Sequence, residues 1–247
     1  MPKFIRKRTI ELLYMIKRKE LIIENEIGKF LIYSDNDSIE KSSESFEFET
    51  QKWITATDNT KRLFVDIGTN IGFYTIYALN RCGYAEGLCF EANPSTYELF
   101  QKNMMLNQLQ QRVRGFNVGL SDRNEKIDFY QKLIHTGGSR FVEKDMRHKI
   151  KRRHYILHKL ETRKFDDIAQ EEDFDPQKIG YIKIDVEGFE LNVLKGMRET
   201  LDLLQEGTRI FVEINHNNPV EEYLQRHRFK KLEQIGKNHL FIKVKNE

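Results

Sequence analysis

The residues that could do chemistry fall into two sets. The first follows an apolar run, in "FVDIGTNIGFYTIYAL" (64–79): Asp66, then Gly68, Asn70 and Gly72. Glycines let a chain turn sharply and let a ligand approach the backbone. Glu91 ends the next apolar run, roughly 20 residues further on, where a carboxylate can accept hydrogen bonds from two ribose hydroxyls. The implied ligand carries a ribose. Asn70 stands where a dinucleotide-binding G-x-G-x-x-G has its middle glycine, and no third glycine falls at the required offset. A pyrophosphate needs bare amides at a helix N-terminus. A sulfonium amino acid needs instead a carboxylate for its ammonium, which Asp66 supplies directly or through water. The pattern therefore favours S-adenosylmethionine over NAD.

The second set is Asp185, Glu187, Glu213 and His216. Methyl transfer from a sulfonium to an alcohol is an in-line displacement that depends on positioning and on removal of the hydroxyl proton. Asp185 is the first choice of base, with Glu187 contacting the substrate or sharing the role. Glu213 follows a buried apolar run, where an unpaired carboxylate is costly. His216 is a further candidate, since an unperturbed imidazole titrates near ~6.5. Nothing in the pattern fixes a metal ion.

These residues must be positioned by strands and helices. From residue 63 onward, apolar runs alternate with amphipathic segments: "LFVDIG", a helix over 70–82, "GLCFEAN", a helix over 95–107, then "VRGFNVGL". After an interruption over 125–170 the alternation resumes with "IGYIKIDVEG", a helix over 189–203, "RIFVEIN" and a helix over 219–228. Such alternation predicts a parallel sheet with crossover helices on both faces. The closing runs joined by Gly236-Lys237-Asn238 predict a hairpin and an antiparallel last strand. The expected fold is an α/β, Rossmann-like sandwich with a mostly parallel seven-stranded sheet. Both chemical sets then lie at the carboxyl ends of strands, where such sheets bind ligands. Within the interruption, "KIDFYQKL" reads as a strand, "YILHKLETRKFDDIA" as a strand and short helix, and 135–164 as a basic insertion.

Residues 1–60 read as an extension to a domain spanning 61–247. Residues 21–34 are two short strands around Gly28. A short helix follows within 45–57, with Phe48 and Trp53 as core contacts. Residues 1–20 are basic and amphipathic, suited to an anionic membrane surface or to packing in a homodimer. The chain has 247 residues, 39% hydrophobic and 32% charged, with a net charge of +3, so bulk charge gives no nucleic-acid signal. No apolar run approaches the ~20 residues that cross a bilayer, and no secretory segment is evident. Cys82 and Cys89 read as reduced, buried small hydrophobes, consistent with a cytoplasmic protein.

The blocks "FVDIGTNIGFYTIYAL", "CFEANPSTYELFQKNMMLN", "VGLSD", "GGSRFV", "KFDDI", "IKIDVEGFELNVLKG" and "FVEINH" resemble, in order and spacing, those of the FkbM-type methyltransferases over about residues 45–230. The resemblance implies a class I methyltransferase sheet, dependence on S-adenosylmethionine, and O-methylation of a hydroxyl, chiefly of a saccharide or another small molecule. It implies that Asp66, Gly68, Asn70 and Gly72 line the methionine side of the cofactor, Glu91 its ribose, and Ser121 and Asp122 its adenine edge. It also implies that the loop holding Gly138, Ser139 and Arg140 faces the substrate. Ala92, in "EANP", is a mild departure from the family pattern that leaves Glu91 intact. RNA is a weaker substrate candidate, because no Asn/Asp-Pro-Pro-Tyr motif for holding a base is present.

Overall fold

A computed structural model describes residues 20–33, 48–54, 62–132, 139–142, 155–214 and 219–245. The basic N-terminal stretch through residue 19, His216, Gly138 and residues 143–154 lie outside them.

Seven strands form the main sheet: β3 (Leu63–Ile67), β4 (Glu86–Phe90), β5 (Val113–Phe116), β10 (Ile179–Ile184), β11 (Arg209–Glu213), β12 (Phe229–Ile235) and β13 (Asn238–Lys243). Their spatial order is β12-β13-β11-β10-β3-β4-β5. Pairings among β5, β4, β3, β10 and β11 are parallel, and β13 is antiparallel to both its neighbours. β3 and β10 are buried along their whole lengths. Strands covered on both faces read as nearly continuous apolar runs, which is why they stand out in the sequence.

Alternation along β3 divides the core. Val65 and Ile67 pack on one face with Ile182, Ile184, Val193 and Leu201. That face is covered by α4 (Phe165–Glu171), α5 (Glu190–Gly196), α6 (Arg198–Leu203) and α7 (Val220–Arg226). The expected helix over 189–203 is thus two helices that meet at Met197. Phe64 and Tyr181 face the other way, toward α2 (Phe73–Arg81) and α3 (Pro94–Leu106).

The hairpin of β1 (Glu20–Glu24) and β2 (Lys29–Tyr33) packs on this second face, with Phe30 and Ile32 in the same core. Asn103 and Asn107 of α3 act as side-chain rungs for it. Asn103 accepts from Leu31 N and donates to Leu31 O, and Asn107 does the same for Lys29. The following α1 is one turn, Phe48–Gln51. Trp53 is buried as expected, but Phe48 is 54% exposed and makes no core contact. A four-residue helix buries one side, and here Thr50 and Gln51 take it.

The main departure from expectation is a second sheet. "VRGFNVGL" is not one strand: β5 stops at Phe116, and β6 (Gly119–Leu120) leaves to pair with β9 (Tyr155–Arg163). β7 (Glu125–Lys132) and β8 (Arg140–Phe141) complete the order β6-β9-β7-β8. Asn117 marks the break, its side chain donating to Glu91 O at 2.7 Å and to Ala92 O at 3.3 Å. No described helix is long and apolar enough to cross a membrane. Cys82 and Cys89 are buried and free, and burial raises the pKa of both thiols.

Candidate active site

At the carboxyl ends of the parallel strands lies a cleft of about 720 Å³, counted to its open mouth. The exit loops of β3, β4 and β10, the 118–120 segment and the second sheet all contribute to it.

The loop after β3 is built around glycines. Gly68 has φ +77°, and Gly72 has φ +90° at the N-cap of α2. Both conformations disfavour a Cβ. Each position is also crowded: a Cβ at Gly72 would come within 2.7 Å of Met104 Cε. Gly68 N and Thr69 N both donate to Phe90 O, which ties the loop to the end of β4. Asn70 lines the cleft with φ +53°, and its buried Oδ1 has no hydrogen-bond partner among the described residues. Glu91 shapes the opposite turn. Its Oε2 accepts from Asn70 N at 3.0 Å, and its Oε1 accepts from Asn93 N at 2.8 Å.

Asp66 is fully buried and does not line the cleft. Its Oδ2 accepts from Thr69 Oγ1 at 2.9 Å and Thr75 Oγ1 at 2.7 Å, while its Oδ1 lies 3.5 Å from Lys183 Nζ. These contacts brace the glycine loop from beneath. Ser121 and Asp122 also lie away from the cleft. Because the chain leaves the main sheet after Phe116, the cleft edge falls on Val118, Gly119 and Leu120 instead. Ser121 N donates to Arg163 O, and Asp122 lines a separate groove with Lys164, Lys195 and Arg198. Hydrogen bonds from Arg123 and Asn192 lower the Asp122 pKa despite its partial burial.

The second acidic set is brought together. Asp185 and Glu187 line the cleft, with Glu187 held at φ +56°. Glu213, at the end of the adjacent parallel strand, joins them. Burial first, then the charges of Asp185 and Glu187 and a hydrogen bond to Asp185, push the Glu213 carboxyl up to about 7. Lys237, 3.6 Å away, opposes the shift. Glu190 organises the loop between them: it is fully buried and accepts from Gly188 N at 2.8 Å. Ser139 and Arg140 line the cleft from the second sheet, beside Phe129, Phe141 and Phe189. Among the described residues no group of three or more His, Cys, Asp or Glu is arranged to hold a metal ion.

Lys183 was not marked as a site residue by its sequence. It is 3% exposed, one residue before the end of β10. Its Nζ lies 3.5 Å from Asp66 Oδ1, 3.6 Å from Asp185 Oδ2 and 3.3 Å from Gly68 O. A signal was present: a lysine inside a run that otherwise reads as a fully buried strand must find partners.

The strand order, with its single antiparallel strand and its cleft at the carboxyl ends of the parallel strands, defines a class I methyltransferase fold of the Rossmann-like type. A family profile described as the Methyltransferase FkbM domain matches residues 66–241, and the chain belongs to that family.

Similar proteins include Methyltransferase 1 of Beauveria bassiana, 29% identical over 144 residues, covering 54% of this chain and 57% of that one. The 2-O-methyltransferase NoeI of Sinorhizobium fredii is 29% identical over 176 residues, covering 67% and 69%. A crystal structure of Methyltransferase FkbM from Methylobacillus flagellatus shares the fold with a TM-score of 0.51 at 15% identity, covering 82% of this chain and 47% of that one. The matched part spans only 57% and 60% of the first two curated relatives.

Proposed function

We propose that the chain is an S-adenosylmethionine-dependent O-methyltransferase whose acceptor is a hydroxyl, in the first instance of a saccharide. The observation that carries this reading is one cleft lined by two sets of residues, Asn70 with Glu91 and Asp185 with Glu187. The first set fits the cofactor. Glu91 lines the cleft with a carboxylate of the type that accepts from ribose hydroxyls, and Asn70 Oδ1, without a partner among the described residues, can accept from an ammonium. The printed name of NoeI, a 2-O-methyltransferase, supports oxygen as the methyl acceptor. Phe129, Phe141 and Phe189 beside carboxylates suit a saccharide, whose C–H faces pack on aromatic rings while its hydroxyls donate to acids.

When bound, S-adenosylmethionine supplies an electrophilic methyl group. The protein's part is to orient the acceptor hydroxyl and take its proton. Asp185 accepts that proton as oxygen attacks, and Glu187 holds the acceptor from the same loop. Glu213 enters the site carrying a proton at neutral pH or just below, so the three carboxylates do not all repel one another. Phe141 and the packed second sheet shield the reacting oxygen from water. Asp66 acts one step removed, by bracing the Gly68–Gly72 loop.

Calorimetric titration with S-adenosylhomocysteine, and separately with NAD, tests the reading. Saturable binding of S-adenosylhomocysteine with no heat from NAD is expected. Binding of NAD alone would overturn it.

A further inference from the structure

Lys183 and Asp66 are directly paired across β10 and β3, on the sheet face that α2 covers. Around the ammonium stand Asp66 from β3, Asp185 from its own strand, the Tyr74 ring of α2 at 5.2 Å and the Cys89 thiol of β4, which feels both charges. Its register partner on β11 is Phe211, and the ionisable residues of that strand, Arg209 and Glu213, lie two positions to either side of it. One buried cation therefore stands between two carboxylates with different needs. Asp66 already receives two hydroxyl hydrogen bonds, from Thr69 and Thr75. Asp185 and Glu187 line the cleft and both act on Glu213, and Asp185 also acts on the buried Glu190.

We propose that Lys183 is a positioning residue that decides where the charge rests among the carboxylates gathered beyond β10 and β11: its ammonium favours the anion on Asp185, the carboxylate it touches, over Glu213. Through Asp66 and the Gly68 carbonyl it also ties that choice to the loop on the cofactor wall. The inference rests on the reading of Asp185 as the base. A base must arrive ionised, and among three close carboxylates at most some can be. The cation nearest Asp185 settles which one. The raised Glu213 carboxyl agrees with this division. Lys237 is 57% exposed and reaches Glu213 from the solvent side, so water screens it.

Lys183→Met alone leaves Asp66 buried without its cation and can fail to fold. The informative variant is the charge-balanced double substitution Asp66→Asn with Lys183→Met. Its carboxyl carbons, labelled in Asp and Glu and assigned with Asp185→Asn and Glu213→Gln, are followed by NMR against pH, beside those of the wild type. If Lys183 divides the charge, the carboxyl titrating near neutral pH is Glu213 in the wild type and Asp185 in the double variant, and the Glu213 midpoint falls by about one pH unit or more. If Lys183 merely balances Asp66, the Glu213 midpoint stays where it was, and the proposal is overturned.

S-adenosylhomocysteine titration of the wild type keeps the two readings apart. A wild type that binds it while the double variant leaves Glu213 unmoved refutes the role of Lys183 alone. A wild type that ignores it while the titrating group changes refutes the cofactor reading and leaves the electrostatic role of Lys183 standing.

Discussion

The carbonyl oxygen of Asp185 fills the space a side chain on Gly68 would need: a Cβ built there would lie 1.9 Å from it. The exit loops of β3 and β10 are thus one packed unit, and the cofactor wall cannot move without the wall that carries Asp185. Gly68→Ala meets two costs. Its φ of +77° disfavours an L-residue by about 1–2 kcal/mol, and displacing a backbone carbonyl adds overpacking of about 1–3 kcal/mol. Thermal unfolding should show a melting temperature lowered by roughly 4–20 °C, with S-adenosylhomocysteine affinity reduced at least tenfold (~1.4 kcal/mol). A variant that melts with the wild type would mean that the two loops are not packed this way.

Glu91 joins three segments, through Asn70 N, Asn93 N and the Asn117 side chain on its carbonyl. Glu91→Ala removes both the ribose acceptor and the brace on Asn70, so calorimetry should give S-adenosylhomocysteine binding at least tenfold weaker (~1.4 kcal/mol or more). Glu91→Gln keeps one acceptor oxygen and should fall between. Equal affinity in all three proteins would remove Glu91 from the cofactor site.

Asp185 lines the cleft from the exit of β10, whereas the proposed ribose acceptor Glu91 follows β4 and holds Asn70 N and Asn93 N. Asp185→Asn is nearly isosteric and should leave S-adenosylhomocysteine affinity within a fewfold of wild type. Methyl transfer to a saccharide acceptor, followed with a labelled methyl donor, should fall by ~10²–10⁴, the usual worth of general base catalysis. Retained transfer would put the base elsewhere in the cleft.

What could be read from the sequence followed from burial. β3, β4, β10 and β11 are covered on both faces, so each is a largely apolar run, broken only by Asp66 in β3 and Lys183 in β10 and by polar residues at strand ends, and Gly236-Lys237 announces the antiparallel end. The second sheet gives no comparable sign. β6 and β8 have two residues each, too few to show a period, and β6 continues without a gap from a stretch that looks like one strand. Because the chain leaves the main sheet after Phe116, Val118 to Leu120 line the cleft, and Ser121 and Asp122, which the family resemblance put at the adenine edge, do not. Glu91, Asp185, Glu187 and Glu213 were legible because each is an acid directly after an apolar run. Lys183 was hidden by the opposite circumstance: its partners, Asp66 and Gly68 O, are distant in sequence, and only strand pairing brings them near.

Glu213 gives the site a pH signature in stability. Its carboxyl is raised from the usual 4.5 to about 7, by burial first and then by the charges of Asp185 and Glu187. The folded protein therefore binds this proton more tightly than the unfolded chain does. The resulting contribution to stability is complete below the unfolded value and is lost as pH rises through the folded one. Between about pH 4.5 and about pH 7 it declines, and above that range the buried charge stays uncompensated. Glu213→Gln keeps a neutral, hydrogen-bonding side chain at every pH. Thermal denaturation of the two proteins should give nearly equal melting temperatures at about pH 5 and a more stable variant at about pH 8. Taking the difference between the proteins cancels the other titrating groups they share. A difference that does not change with pH would show that Glu213 is ionised throughout, and would leave Asp185 facing two anions instead of one.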